Sequence, residues 1–145
     1  METDRHWPSS VTPDGKWLAY LSDQTGDYRI MVRPFPDVQR RVWVVSGDDT
    51  YDPRWSPRGD ALLYRRGWGR LMQVPVGGGD EFLPGVDREL MEIDFHDSAG
   101  SSFAPSPDGK RLLVNKPVDV SYRDRTPVTL VTGWAGDVSR KLKVE

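Results

Sequence analysis

Three groups of side chains in this sequence are chemically loaded. Arg65, Arg66, Trp68 and Arg70 bring three guanidinium groups and an indole together, a composition that stacks on planar rings and grips anions. Asp48, Asp49 and Asp52 gather carboxylates, and Asp87, Glu89, Glu92, Asp94, His96 and Asp97 form a second acidic stretch. Hard oxygen donors of this kind suit a divalent cation. His96, Asp97 and Ser98 are the residue types of a hydrolytic triad.

Spacing argues against most of this chemistry. A serine nucleophile needs a strained elbow of the Gly-x-Ser-x-Gly kind, and the sequence has none; Gly100-Ser101-Ser102 belongs to the start of a repeat. Neither acidic segment has the calcium-loop spacing, and Leu90, Met91, Ile93 and Phe95 alternate with the acids as on a solvated strand face. Gly77-Gly78-Gly79 lacks the Lys-Ser/Thr and the helix of a phosphate loop. The expectation is therefore no catalytic residue, no cofactor and no metal. The Arg65, Arg66, Trp68, Arg70 cluster remains as a candidate binding surface, with a hairpin tip held by structural cation–π contacts as the equal alternative.

The elements that position these residues recur. Thr12-Pro13-Asp14-Gly15-Lys16, Ser56-Pro57-Arg58-Gly59-Asp60 and Ser106-Pro107-Asp108-Gly109-Lys110 share one register, their prolines 44 and then 50 residues apart. Each launches an apolar triplet: Leu18-Ala19-Tyr20, Leu62-Leu63-Tyr64 and Leu112-Leu113-Val114. Glycine supplies the positive φ of a tight turn and aspartate bonds to the backbone beyond it, so Pro13, Asp14, Gly15, Pro57, Gly59, Pro107, Asp108 and Gly109 are read as structural turn residues. The continuous apolar strands that follow imply burial on both faces. A period of this size, with a turn and a buried strand in each copy, predicts an all-β fold: a partial β-propeller of about three antiparallel blades, half of a six-bladed ring. The repeats span about 7–46, 51–95 and 100–134 of one domain, with 135–145 as a tail that includes a short helix over Val138–Val144. Arg70 to Pro75 restates Arg29 to Pro34, down to the proline that ends both strands. No clean outer strand can be placed between residues 80 and 100.

Composition agrees. Twenty basic and 22 acidic side chains leave a net charge of −2, which gives no reason to expect nucleic acid as a partner. Fourteen glycines, 12 prolines and six tryptophans suit short strands and many turns. Without cysteine there is neither a disulfide framework nor a thiolate metal site. No apolar run approaches the roughly 18 residues of a membrane span, and the N-terminus has no signal-peptide pattern, so a location outside the cytoplasm requires a segment beyond this sequence.

Asp14-Gly15-Lys16-Trp17-Leu18-Ala19-Tyr20, Val32-Arg33-Pro34-Phe35-Pro36, Pro53-Arg54-Trp55-Ser56-Pro57 and Leu71-Met72-Gln73-Val74-Pro75-Val76 carry a resemblance. The chain is similar to the TolB-type, WD40-like (PD40) propeller repeats, most of all to the C-terminal propeller of bacterial serine/threonine protein kinases. That resemblance implies a non-catalytic binding or scaffolding module, part of the sensory or protein-interaction region of a kinase-type receptor facing away from the cytoplasm. Its protein or small-ligand partner is not specified. Two other readings stand beside it: an accessory propeller gating a prolyl-oligopeptidase-like hydrolase, and a degenerate fragment without independent activity. Three blades cannot close a ring, so each terminal blade is expected to expose an apolar face, and a homodimer completing the ring is one resolution.

Overall fold

The computed structural model of the chain describes residues 6–94, 102–116 and 128–132. Twelve strands, and no helix among the described residues, form three antiparallel sheets. The first contains β1 (His6–Val11), β2 (Trp17–Ser22), β3 (Arg29–Pro34) and β4 (Trp43–Val44) in chain order. The second contains β5 (Thr50–Trp55), β6 (Ala61–Arg66), β7 (Arg70–Gly77), β8 (Leu83–Pro84) and β9 (Arg88–Glu92). The third contains β10 (Phe103–Pro105), β11 (Arg111–Asn115) and β12 (Val128–Thr132). Sheets that meander in this way and stack face to face make a partial β-propeller, with one sheet per blade.

Strand alternation explains the stacking. Along β6, Leu62 and Tyr64 join Ala19, Ile30 and Val32 of the first sheet in one core, while Leu63 joins Phe103, Leu112 and Val114 of the third in another. Successive side chains point to opposite faces, so a middle strand apolar throughout serves two neighbours at once. β6 is buried at every position from Ala61 to Arg65.

The three turns share one hydrogen-bond scheme. Thr12, Ser56 and Ser106 each accept the glycine N–H with their carbonyl and a strand N–H with their hydroxyl: Gly15 and Trp17, Gly59 and Ala61, Gly109 and Arg111. The glycines take φ of 75°, 73° and 68°, which an L side chain resists. Asp14 and Asp108 accept the hydroxyl proton of Thr12 and Ser106, and that bond holds both carboxyls below the usual carboxylate range. In the middle copy Arg58 stands where an aspartate is expected, and Asp60, two residues on, accepts from Ser56 Oγ at 2.7 Å instead. The turns also stack: a Cβ on Gly59 would meet Pro13 Cδ at 3.4 Å, and one on Gly109 would meet Pro57 at 4.0 Å.

The outer edge of the second sheet departs from the sequence reading. An outer strand exists between residues 80 and 94, but in two pieces. β8 pairs with the end of β7 (Val76↔Pro84, Gly77↔Leu83) and β9 with its start, across a bulge between Leu71 and Met72. The acids of this stretch are only partly the solvated face expected, because Asp87 accepts from Tyr64 and Arg66 at 2.6 and 2.7 Å. The loop before β8 depends on Gly78 (φ 102°), where a Cβ would lie 2.5 Å from the Glu81 carbonyl. It delivers Phe82, 3% exposed, into the core between the first two sheets. Phe95, the tail helix expected over Val138–Val144, the loop around Asp119–Thr126 and Trp134 lie outside the described residues.

Leu62 and Leu112 are both fully buried, and they occupy the same place after their turns. Replacing either by aspartate buries an unpaired charge and is expected to cost about 3–5 kcal/mol in urea unfolding; a near-wild-type midpoint for either refutes the shared register. Asp60→Ala is expected to cost about 1 kcal/mol by removing the acceptor for Ser56, with Arg58→Ala neutral within about 0.5 kcal/mol. Equal effects in the same titration would show that Asp60 has no such role.

Candidate binding surface

The β2–β3, β4–β5 and β6–β7 connections meet along one rim. Thr50 N–H and Oγ both donate to Tyr28 O, Gly67 N–H donates to Asp49 O at 2.9 Å, and Arg29 pairs with Asp48 at 2.5 Å. These backbone links bring the first residues of β3 and β5 beside the β6–β7 hairpin tip.

On this frame a ladder of rings and one guanidinium is built. Tyr51 and Arg65 are opposite each other in the β5–β6 register, so their side chains share a face. The Arg65 guanidinium lies 5.0 Å from the Tyr51 ring centroid and 4.9 Å from that of Trp68. Tyr28 continues the series, its ring 5.6 Å from Tyr51. Arg65 is 8% exposed and Trp68 58% exposed, so the cation is an internal rung and the indole the solvent-facing one. The two residues flanking this strand start in φ, Asp49 at 57° and Asp52 at 55°, are in the left-handed region that few non-glycine residues enter.

Their carboxylates explain part of that cost. Asp52 accepts the Ser102 N–H at 2.7 Å and pairs with Arg54 at 3.0 Å, tying the second sheet to the third. Burial, then the hydrogen bond to Asp49, pushes the Tyr51 phenol above its ordinary 10. Tyr51 therefore stays protonated at neutral pH and donates to Asp49. Tyr64 behaves alike: burial first and then its bond to Asp87 raise its phenol well above the ordinary value.

The structure divides the cluster singled out in sequence. Arg65 and Trp68 are stacked together. Arg66 points to the opposite face of β6 and is spent on Asp87. Arg70, its side chain 61% exposed, faces Glu89 at 3.7 Å. The shared cation is buried, and Trp68 is the ring that the ladder presents to solvent. Among the described residues no group of three or more His, Cys, Asp or Glu is placed to hold a cation. His96, Asp97 and Ser98 lie outside them. The loops Asp48 to Tyr51 and Gly67 to Gly69 are readable from the sequence as neighbours at one end of the propeller, whereas Tyr28 was not legible as a member of the site; the signal that could have found it is that it immediately precedes a strand at the end of the blade where Trp68 sits.

No family model matches the sequence, and no curated protein matches it. Among solved structures, the chain is similar to the crystal structure of TolB from Acinetobacter baumannii, with 16% sequence identity and a TM-score of 0.44. The likeness covers 92% of this chain and 42% of that one. The architecture itself rests on the sheet pairings above. No helix of the described residues is long and apolar enough to cross a membrane.

Trp68→Ala removes the outer rung of the ladder, and its expected cost is no more than about 1 kcal/mol because the ring is largely in water. A loss above about 3 kcal/mol in chemical denaturation would show instead that the indole is packed as core.

Proposed function

We propose that this chain is a non-catalytic interaction module whose docking face is the outward face of the third sheet. One observation carries the reading. Leu113 and Leu130, opposite each other in the β11–β12 register, are 46% and 55% exposed, with exposed Ala104 completing the row across β10. The equivalent positions in the other blades lie under the next sheet: Ala19 and Val32 in the first are fully buried, and in the second Leu63 is fully buried and Gln73 half-buried. A row built for a neighbour, and without one among the described residues, is a docking surface.

The occupant it fits is a second copy of this chain. Ala19 and Ile30 are covered by Leu62, Tyr64 and Met72 of the second sheet, and Leu18, Tyr20 and Met31 repeat that set on the far face of the first sheet. A first sheet can therefore cover a third sheet as the second covers the first, and two such contacts close six blades about a two-fold axis. Contrary to the expectation that each terminal blade exposes an apolar face, Tyr20 and Met31 are already buried, with Arg33 lying 5.3 Å from the Tyr20 ring centroid and donating to its hydroxyl, so this contact requires the far face of the first sheet to be uncovered. The resemblance of the repeat motifs to kinase-attached propellers supports a place in the sensory part of a bacterial receptor kinase.

Light scattering across a range of concentrations tests the module. The expected mass is twice 16.5 kDa, falling to one chain in Leu113→Lys/Leu130→Lys with the circular dichroism spectrum unchanged. A wild-type monomer at every concentration, or a dimer indifferent to that double change, overturns the assignment.

A further inference from the structure

The repeat frame exposes a second site, on the opposite rim from the aromatic ladder. Cross-strand register makes Trp17 and Pro34 of the first blade equivalent to Ala61 and Pro75 of the second, and Val32 and Trp43 equivalent to Gln73 and Arg88. Between the first two blades this corner is filled. Phe82 lies 5.3 Å from the Trp17 ring and 5.1 Å from Trp43, with Trp55 at 6.4 Å, and a smaller groove of about 330 Å³ lies beside Trp17, Trp43 and Phe82. Between the second and third blades the large rings are replaced by Ala61 and Arg88, and a cleft of about 530 Å³ opens. That volume lies in the range of small-ligand sites.

The chemistry of the cleft is specific. Ala61 and three prolines, Pro57, Pro75 and Pro107, give it apolar surface. Its charges are Arg58, Arg88 and Lys110 against Asp60 and Asp108. Both carboxylates are already engaged in their turns: Asp60 by Ser56 and Arg58, Asp108 by Ser106 and the Lys110 N–H. Arg88 donates from Nε and NH2 to the neutral Gln73 Oε1 at 3.1 and 2.9 Å, which fixes its plane without cancelling its charge. Among the described residues neither Arg88 nor Lys110 forms a salt bridge. The surplus among the lining residues is one positive charge, and the two cations without a salt bridge, Arg88 and Lys110, stand on facing blades.

We propose that this inter-blade cleft binds an organic carboxylate, its apolar body against Ala61 and the prolines and its carboxylate between Arg88 and Lys110. A guanidinium pre-set by Gln73 suits the planar two-oxygen acceptor. The ligand is either a free small acid or the carboxy-terminus of a polypeptide, which present the same group.

The test is a titration of the ¹⁵N-labelled full chain with 3-phenylpropionate, with its amide, and with an N-acetylated tripeptide acid ending in phenylalanine. The acids are expected to shift the Gly59, Gly109 and Lys110 amides and to bind about tenfold more tightly than the amide. Arg88→Gln and Lys110→Gln, both on exposed side chains, should each weaken the acids about tenfold. Ala61→Trp, which restores the first blade's filler, should abolish binding. Tighter binding of the tripeptide supports the site with a chain end as its ligand, and tighter binding of the small acid supports it with a free acid. Equal binding of acid and amide, shifts confined to other parts of the molecule, or indifference to both Gln variants overturns the proposal.

Discussion

A middle strand with two apolar faces is the constraint on which this molecule depends. β6 sends Leu62 and Tyr64 one way and Leu63 the other, and neither set can be left in water without forfeiting the roughly 1.5–3 kcal/mol that burial of each large side chain contributes. A blade of this kind is incomplete alone. Stacking follows from it, as do the matched turns that hold successive sheets at one spacing.

The turns and the buried strands were legible because their chemistry is local. A proline, a glycine at positive φ and a hydroxyl within a few residues define the turn, and the apolar triplet after it defines the strand. What was not legible depends on partners distant in sequence. β8 and β9 share one edge of β7, and the bulge at Leu71–Met72 breaks the alternation that would have announced β9. Asp60 took over the turn carboxylate from outside the aligned position. Composition grouped Arg65 with Arg66, and the two-residue period of a strand separated them to opposite faces, one stacked between rings and the other paired with Asp87.

Substitution at equivalent places is where the blades acquire different properties. Trp17, Ala61 and Arg111 follow the three turns at one register position: an aromatic filler, a void and a charge. The backbone hydrogen bonds beneath them are the same, since Trp17 and Ala61 each close the turn onto Thr12 or Ser56 and Arg111 onto Ser106. A rigid, repeated frame tolerates such variation because the turn bonds to the main chain of that residue and leaves its side chain unconstrained.

Phe82 gives the molecule an uneven cohesion. Its ring locks the first and second blades through three tryptophans, whereas the second and third share the core of Leu63, Leu71, Phe103, Leu112 and Val114, beside an open cleft and the Asp52–Ser102 bond. In a stack whose stability is a sum of nearest-neighbour interfaces, cooperativity follows the stronger junction. The first two blades are expected to open as one unit, with the third opening ahead of them at a lower free energy. Amide protection is accordingly expected to be graded along the chain, greatest in β2, β3, β6 and β7, and thinnest in the third sheet.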